Sequence, residues 1–332
     1  MKKALKLSVL FLLLTLVSFI SIKNSKVVAI SNDQYLGQVY LGGDTIGIQI
    51  KTPIEVVGKY EVVVNNEKIK PWENSNIEEG DYVYTLNEIK VNSNSDINNI
   101  LSSYSNDIIN ITLLRKDKYI STTINVIKNN NNKNTIGLYI KDHITGIGTL
   151  TFVNANNNKY GALGHSVSDA LNKGNLYESS IKGIKKAIKG VPGEKFATLS
   201  STEIGTIESN IDIGIFGEYH KENKNELVNV LKSEFVQKGK AEIVTVISGN
   251  IIKKYDIEII SVDKQNEESI KGIKFKVIDK ELIEEAGGIV QGMSGSPIIQ
   301  NGNLVGAVSH VVVNDPLCGY GVFAEWMYYK TL

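Results

Sequence analysis

Apolar and polar residues alternate with a period of two in many short segments of this chain, and glycine or asparagine often separates the segments. Residues 37–41 and 46–50 alternate as half-buried strands do. The same pattern recurs from residue 135 to the C-terminus, where no long amphipathic helix interrupts it. The pattern predicts a mainly β protein, with barrels or a sandwich in its second part.

The N-terminus has a different pattern. Lys2, Lys3 and Lys6 precede an uncharged, mostly apolar run over residues 7–22. A basic flank before such a run is typical of a secretory signal or a short membrane anchor. We therefore assign residues 1–29 to a signal peptide, with cleavage after Ala29, or to a retained anchor that holds the protein at the membrane. Either alternative predicts export of the remainder.

Residues 33–128 predict a small β-rich domain with one helix near residues 95–103. The segment Thr45-Ile46-Gly47-Ile48 and its surroundings resemble a PDZ domain. In that family this loop offers amides to a peptide carboxylate, and the next strand pairs with the peptide. The resemblance implies a peptide or a protein C-terminus as ligand. The polar run over residues 129–134 is interpreted as a linker, and residues 135–332 as a second domain.

Charge and cysteine content exclude several classes of function. The chain has 36 basic and 36 acidic residues, so its balance gives no reason to expect nucleic acid as a partner. Cys318 is the only cysteine, which excludes an internal disulfide and CxxC sites for metal or redox chemistry. We predict no metal and no organic cofactor.

Residues 292–297 read Gly-Met-Ser-Gly-Ser-Pro, a glycine-flanked serine turn. Such a turn suits a serine nucleophile, because its own amides can point at the developing oxyanion. Ser294 is the predicted nucleophile, and the amides of Gly292 and Ser294 are the predicted oxyanion hole. Ser296 is the alternative hydroxyl, and Ser294 is preferred because Gly292 and Gly295 around it suit an amide hole.

A serine nucleophile requires a base, and the chain has 4 histidines. His165 follows an apolar segment and a glycine, at a predicted strand end where a cleft is expected. His310 is the rival because it lies close to the serine turn in sequence. His143 and His220 are interpreted as a turn residue and a solvated loop residue.

The carboxylate that orients the base remains open between three aspartates. Asp279 lies 15 residues before Ser294, and Asp212 lies 47 residues after His165. Asp169 follows His165 closely and can instead cap the next segment. Spacing alone does not choose among them.

Three glycine-rich blocks carry a more specific resemblance. Residues 161–165, 287–302 and 306–316 resemble those of the stage IV sporulation protein B peptidases, which combine an N-terminal membrane signal, a PDZ domain and a trypsin-like peptidase domain. The resemblance implies a PDZ domain followed by a trypsin-like double β-barrel, with Ser294 as nucleophile, His165 as base and Asp279 as orienting acid. Ser166 departs from the glycine that is more common in the family.

The resemblance also implies a function. The protein is expected to be an exported serine endopeptidase in the space between the two membranes around the forespore. Its expected substrates are itself and a membrane-associated regulator that restrains late sigma-factor processing. The alternatives are a non-enzymatic PDZ adaptor and a broad quality-control protease, although such proteases usually place the PDZ domain after the peptidase.

Overall fold

A computed structural model describes residues 32–167, 173–222 and 225–332 of the chain. Three short helices are described: α1 (Asn94–Ser102), α2 (Lys280–Ala286) and α3 (Ala324–Tyr329), with 3-10 turns at Asn32–Gln34 and Ser233–Phe235. All other regular elements are strands. They are β1 (Tyr35–Leu41), β2 (Thr45–Lys59), β3 (Val62–Val64), β4 (Glu67–Ile69), β5 (Tyr82–Leu86), β6 (Ile89–Lys90), β7 (Ile108–Arg115), β8 (Lys118–Asn125), β9 (Ile127–Lys128), β10 (Asn134–Thr135), β11 (Leu138–Asn154), β12 (Lys159–Ala162), β13 (Gly174–Lys185), β14 (Glu194–Ile207), β15 (Ser209–Ile211), β16 (Gly214–Glu218), β17 (Leu227–Leu231), β18 (Gly239–Val246), β19 (Ile252–Val262), β20 (Ile273–Val277), β21 (Pro297–Gln300), β22 (Asn303–Val311) and β23 (Cys318–Phe323).

The first barrel is a closed ring of six strands, in the order β2, β11, β12, β16, β14 and β13. All the ladders are antiparallel, and the bridge between Gly205 and Tyr219 joins β14 to β16. Alternate apolar residues of these strands point inward and form one buried cluster, which includes Ile48, Tyr160 and Leu176. The cluster excludes water from the centre of the barrel.

A second ring of six strands follows, in the order β22, β21, β18, β19, β20 and β23. α3 covers it, with Met327 and Tyr328 buried in a cluster that also contains Phe152 of β11 and Phe216 of β16. Residues from both barrels therefore share one core. The expected trypsin-like double barrel is confirmed.

The PDZ lobe has its own apolar core, which extends from Ile54 to Leu138. Strands β5 to β8 form its sheet, and α1 packs Ile97 and Leu101 against it. Ser93 and Asp96 form a capping box at the start of α1, which satisfies amides at the helix N-terminus. The expectation of a PDZ domain in the N-terminal half is confirmed.

Two long strands connect the lobe with the first barrel. β2 and β11 pair with each other from Thr45 and Thr149 in the barrel to Lys59 and Leu138 in the lobe. The same two strands therefore contribute to two hydrophobic cores. The chain forms part of the barrel first, then the PDZ lobe, and then returns to the barrel.

This path corrects two expectations. Ile46, Gly47 and Ile48 pair with β11 on one side and β13 on the other, so they do not form an open carboxylate-binding loop; Thr45, at the start of the same buried strand, pairs with β11. The asparagine run over residues 129–134 is not a linker between domains. It lies at the turn between β9 and β10, because Ile136 and Leu138 beyond it still pack in the core of the lobe.

The predicted signal or anchor, residues 1–29, lies outside the described residues. From residue 32 onward, no described helix is both long enough and apolar enough to cross a membrane.

Candidate active site

The serine turn connects α2 with β21 and takes its shape from two glycines with left-handed backbone. Gly292 has φ 91° and Gly295 has φ 90°, a region that favours glycine. A Cβ at Gly295 would lie 2.1 Å from the carbonyl oxygen of Thr149 and 2.4 Å from the amide nitrogen of Leu163. Only a residue without a side chain therefore lets the turn sit against β11 and the segment that leads to His165.

Two buried threonines of β11 hold the turn from one side. The hydroxyl of Thr149 donates a hydrogen bond to the carbonyl of Gly292 (2.9 Å), and its amide donates to the carbonyl of Ser294 (2.9 Å). The hydroxyl of Thr151 donates to the carbonyl of Gly295 (2.8 Å). The sequence analysis missed these residues. The alternation Gly-Thr-Leu-Thr-Phe at 148–152 was the available signal, because it places two hydroxyls on one face of a strand.

Amides with and without partners alternate along the turn. The amide of Met293 donates to Val290 (3.1 Å), and that of Gly295 donates to Val308 (2.7 Å). Within the described parts of the chain, the amides of Gly292 and Ser294 have no acceptor. Two free donors beside a serine hydroxyl are the arrangement that stabilises the oxyanion of a tetrahedral intermediate.

The two hydroxyls of the turn differ in accessibility. Ser294 is half-buried, whereas Ser296 is 0% exposed and its Oγ has no hydrogen-bond partner among the described residues. A substrate carbonyl can therefore approach Ser294 but not Ser296. This difference supports the choice of Ser294 as nucleophile.

His165 follows a tight turn at the end of β12. Leu163 has φ 70° and Gly164 has φ 68°, and Gly164 packs closely on the carbonyl of Val308. The Nδ1 atom of His165 lies 2.8 Å from the carbonyl oxygen of Ser166. A carbonyl can only accept, so Nδ1 carries the proton, and Nε2 of the neutral ring keeps its lone pair. That is the tautomer required of a general base.

The serine turn and the His165 segment touch through Gly295 and Leu163. No hydrogen bond joins the His165 ring to the Ser294 hydroxyl in the structure. Catalytic hydrogen bonds are often long in a free enzyme and shorten when the substrate binds. The fold therefore brings the predicted nucleophile and base to one place, as neighbouring segments.

A cleft of about 840 Å³ opens beside His165. Its lining combines two imidazoles, acidic side chains and three isoleucines. The lining residues are His165, Ser166, Asn210, Ile211, Asp212, Ile213, Glu268, Ser269, Ile270, His310 and Lys330. The rings of His165 and His310 are 5.8 Å apart between centroids. Burial lowers the pKa of His310, and its proximity to the basic side chains of His165 and Lys271 lowers that pKa further.

The structure separates the candidate acids. Asp279 caps α2: one oxygen accepts from the amide of Leu282 (2.9 Å), and the other lies 3.4 Å from the amide nitrogen of Asp256. Asp279 does not line the cleft, and its hydrogen bonds do not include His165. Its carboxylate is used at the helix N-terminus, and its role as the orienting acid stays a prediction.

Asp212 is better placed. β12 and β16 are antiparallel, with Ala162 opposite Ile215. Continuing both strands beyond this pair in the same register brings Asp212 towards His165. Both residues line the same cleft. Asp169 lies outside the described residues. Among those that are described, no group of three or more His, Cys, Asp or Glu side chains is placed to hold a metal ion.

Two crystal structures of the Rv3671c protease from M. tuberculosis are similar to this chain. The active form is 15% identical with a TM-score of 0.35, over 55% of this chain and 70% of the other. The inactive form is 15% identical with a TM-score of 0.35, over 55% of this chain and 83% of the other. A search of curated proteins found no significant match.

Two family profiles match the chain. A PDZ domain profile matches residues 44–126, and a PDZ domain is in general a peptide-binding module. The residues matched by this profile include β2, which the structure places partly in the first barrel. The profile described as SpoIVB peptidase S55 matches residues 132–328, more than half of the chain, and these residues include the serine turn and His165. The chain therefore belongs to the SpoIVB peptidase S55 family, and it is a serine peptidase.

Proposed function

We propose that this chain is an exported serine endopeptidase of sporulation signalling. Its substrates are a membrane-associated regulator of late sigma-factor processing and the chain itself. Membership in the SpoIVB family supports the sporulation role. The lysines at the N-terminus and the apolar run over residues 7–22 support export.

One observation carries the catalytic part of the proposal. Ser294 is accessible, and of the amides of residues 292–296 only those of Gly292 and Ser294 have no acceptor among the described residues. The Met293–Ser294 peptide plane is fixed, because its carbonyl accepts from the amide of Ser296 (2.9 Å). In a trans peptide the N–H points opposite to the carbonyl, so the Ser294 amide is held facing away from that bond.

The reaction follows from this geometry. The Oγ of Ser294 attacks the scissile carbonyl carbon while Nε2 of His165 takes its proton. The carbonyl oxygen becomes an oxyanion that accepts hydrogen bonds from the amides of Gly292 and Ser294. His165 then returns the proton to the leaving amine, and an acyl-enzyme remains on Ser294. Water, deprotonated by His165, releases the second product and restores the enzyme.

Asp212 is the orienting acid in this proposal, in place of Asp279. It lines the cleft with His165, whereas Asp279 serves as a helix cap. A carboxylate near the imidazole stabilises the imidazolium that forms during attack. The prediction is tested by the pair of asparagine variants described in the Discussion.

The PDZ lobe holds the substrate, or the N-terminal region of the chain, near the cleft in this proposal. The site of action is the space between the two membranes around the forespore. Fusion of residues 1–32 to a reporter enzyme that is active only outside the cytoplasm tests export. An inactive reporter would contradict it.

The first experiment uses residues 30–332 as wild type, Ser294→Ala and Ser296→Ala. Each protein is incubated with a fluorophosphonate probe while its mass is followed over time. We expect labelling and self-cleavage in the wild type and in Ser296→Ala, the matched control. Loss of the nucleophile lowers kcat by roughly a million-fold in serine peptidases, so Ser294→Ala should show neither.

The same experiment tests the adaptor alternative. If the wild type is folded by circular dichroism but is neither labelled nor cleaved, even with a membrane fraction of sporulating cells present, the non-enzymatic adaptor is favoured. If many unrelated unfolded proteins are degraded, the broad quality-control protease is favoured. Cleavage of one membrane-associated regulator supports the proposal.

A further inference from the structure

A lysine is buried directly beside the serine turn. Lys195, near the start of β14, is 3% exposed, and its Nζ donates a hydrogen bond to the hydroxyl of Thr245 on β18 (2.8 Å). Thr245 is itself fully buried. No carboxylate among the described residues pairs with Lys195, and burial lowers its pKa to about 7. Burying an amine without an ion pair costs free energy of folding, so we looked to the contacts of Lys195 for a function.

Lys195 holds the peptide that carries one donor of the oxyanion hole. Its amide donates to the carbonyl of Gln291 (3.0 Å), and the amide of Gln291 donates to the carbonyl of Gly193 (2.9 Å). The Gln291 carbonyl and the Gly292 amide belong to one trans peptide, so they point in opposite directions. The bond from Lys195 therefore turns the Gly292 N–H away from the Lys195 amide.

The side chain of Lys195 supports the same peptide. A Cβ on Gly292 would lie 3.1 to 3.4 Å from the Cβ, Cγ and Cδ atoms of Lys195, so the methylene chain packs against the Gly292 backbone. The hydrogen bond to Thr245 fixes the far end of this chain. On the opposite side, the hydroxyl of Thr149 holds the carbonyl of Gly292. Gly292 is thus held by two strands of the first barrel, β11 through Thr149 and β14 through Lys195.

We propose that Lys195 is a positioning residue for the oxyanion hole: anchored on Thr245, it keeps the Gln291–Gly292 peptide in the orientation that presents the Gly292 amide to the substrate. The inference rests on the proposed serine peptidase mechanism. Lys195 does not touch the reacting atoms. Without its anchor, the peptide can rotate and withdraw one of the two donors.

The test compares Lys195→Met, which keeps the methylene chain but removes the amine, with Thr245→Val, which removes only the partner hydroxyl. Lys185→Met is the matched control, because Lys185 is exposed on the neighbouring strand β13. All are made in residues 30–332. Active sites are titrated with the fluorophosphonate probe, and kcat and KM are measured on a peptide substrate.

A peptide aldehyde provides a second readout. It forms a hemiacetal with the serine, and its oxygen binds in the oxyanion hole. Removing one donor of an oxyanion hole lowers kcat roughly 100-fold to 1000-fold, so misplacing one should lower it about 10-fold to 100-fold. We expect this loss of kcat in both variants, with KM within about twofold of the wild-type value. The affinity for the aldehyde should fall by the same factor as kcat. Lys185→Met should match the wild type.

Two outcomes overturn the inference. One is an unchanged kcat per titrated site in Lys195→Met. The other is a rise in KM while the ratio of aldehyde affinity to substrate affinity stays at its wild-type value. That result would indicate a role in substrate binding only. A general structural role would lower the thermal midpoint and the number of titrated sites, but not kcat per site. If the wild type itself fails to react with the probe, the proposed function fails instead, so the two failures are distinguishable.

Discussion

Replacing Lys195 by methionine should make the protein more stable at neutral pH although it makes the enzyme slower. The native pKa of Lys195 is about 7, whereas the ordinary lysine value is 10.5. At a pH between these two values, Lys195 is protonated in the unfolded chain and neutral in the native chain. Stability therefore rises with pH across this window, and the full penalty is present at and below pH 7.

The magnitude follows from the two pKa values. At about 1.36 kcal/mol for each pH unit, the interval from about 7 to 10.5 corresponds to about 5 kcal/mol of unfolding free energy. Methionine removes this penalty. It also leaves the hydroxyl of Thr245 without its partner, which costs roughly 1–3 kcal/mol. A net stabilisation of about 3 kcal/mol is expected at pH 7.

The assay is urea unfolding of residues 30–332 in the Ser294→Ala background, which prevents self-cleavage. Tryptophan fluorescence, from Trp326 in α3 and from Trp72 in the PDZ lobe, reports the transition. Curves with and without Lys195→Met are compared at pH 6, 7, 8 and 9. Other groups titrate alike in both proteins, so the difference isolates Lys195. It should shrink by about 1.4 kcal/mol for each pH unit above 7.

Two results would refute this reasoning. A stability difference that stays constant from pH 6 to 9 would mean that Lys195 is not depressed in pKa by burial. A methionine variant that is less stable at every pH would mean that the bond to Thr245 outweighs the desolvation of the amine.

Further predictions concern the acid and the turn. Asp212→Asn should lower kcat about 10,000-fold at an unchanged thermal midpoint, as the loss of an orienting carboxylate does, and a loss under tenfold would exclude Asp212 from the triad. Asp279→Asn should retain activity, because asparagine caps a helix as well as aspartate, and Asp279→Ala should lose about 1 kcal/mol of unfolding free energy in urea. The reverse ranking of the two asparagine variants in kcat would restore Asp279 as the acid. Gly295→Ala should abolish probe labelling, because its Cβ would lie 2.1 Å from the Thr149 carbonyl, and a labelled, soluble variant would contradict that packing.

Local patterns in the sequence predicted the parts of this molecule that depend on local geometry. The glycines of the serine turn have the left-handed φ that their positions required, and the predicted preference for Ser294 over Ser296 agrees with the burial of Ser296. The mainly β character followed from residue alternation. A PDZ domain and a double barrel followed from the resemblance of specific blocks.

Asp279 has a local role that the sequence analysis did not name. The stretch from Asp279 to Gly287 carries an aspartate N-cap, a short helix and a glycine with φ 75° at the helix end. These are the usual start and stop signals of a helix, and they were visible in the sequence. The assignment of Asp279 as the orienting acid rests on the family resemblance and not on this local pattern. Asp212 meets His165 only through the pairing of β12 with β16, which spacing does not reveal.

Other features depend on contacts between distant residues. Alternation predicts that residues 46–50 form a strand, but not that β11 and β13 are its neighbours. Lys195 is likewise hidden, because nothing next to it in the sequence marks a buried lysine. Its environment is built by Thr245 and the serine turn, which lie far along the chain.

The shared pair of strands β2 and β11 determines how this protein can be divided. An expression fragment that begins at residue 135 lacks β2, so the first barrel has a gap between β11 and β13, and it should aggregate through those unpaired edges. The PDZ lobe is instead an insertion at the end of a hairpin. Lys51 and His143 are paired across that hairpin, so joining the chain there with a two-residue Asn-Gly turn would remove the lobe and leave a closed barrel.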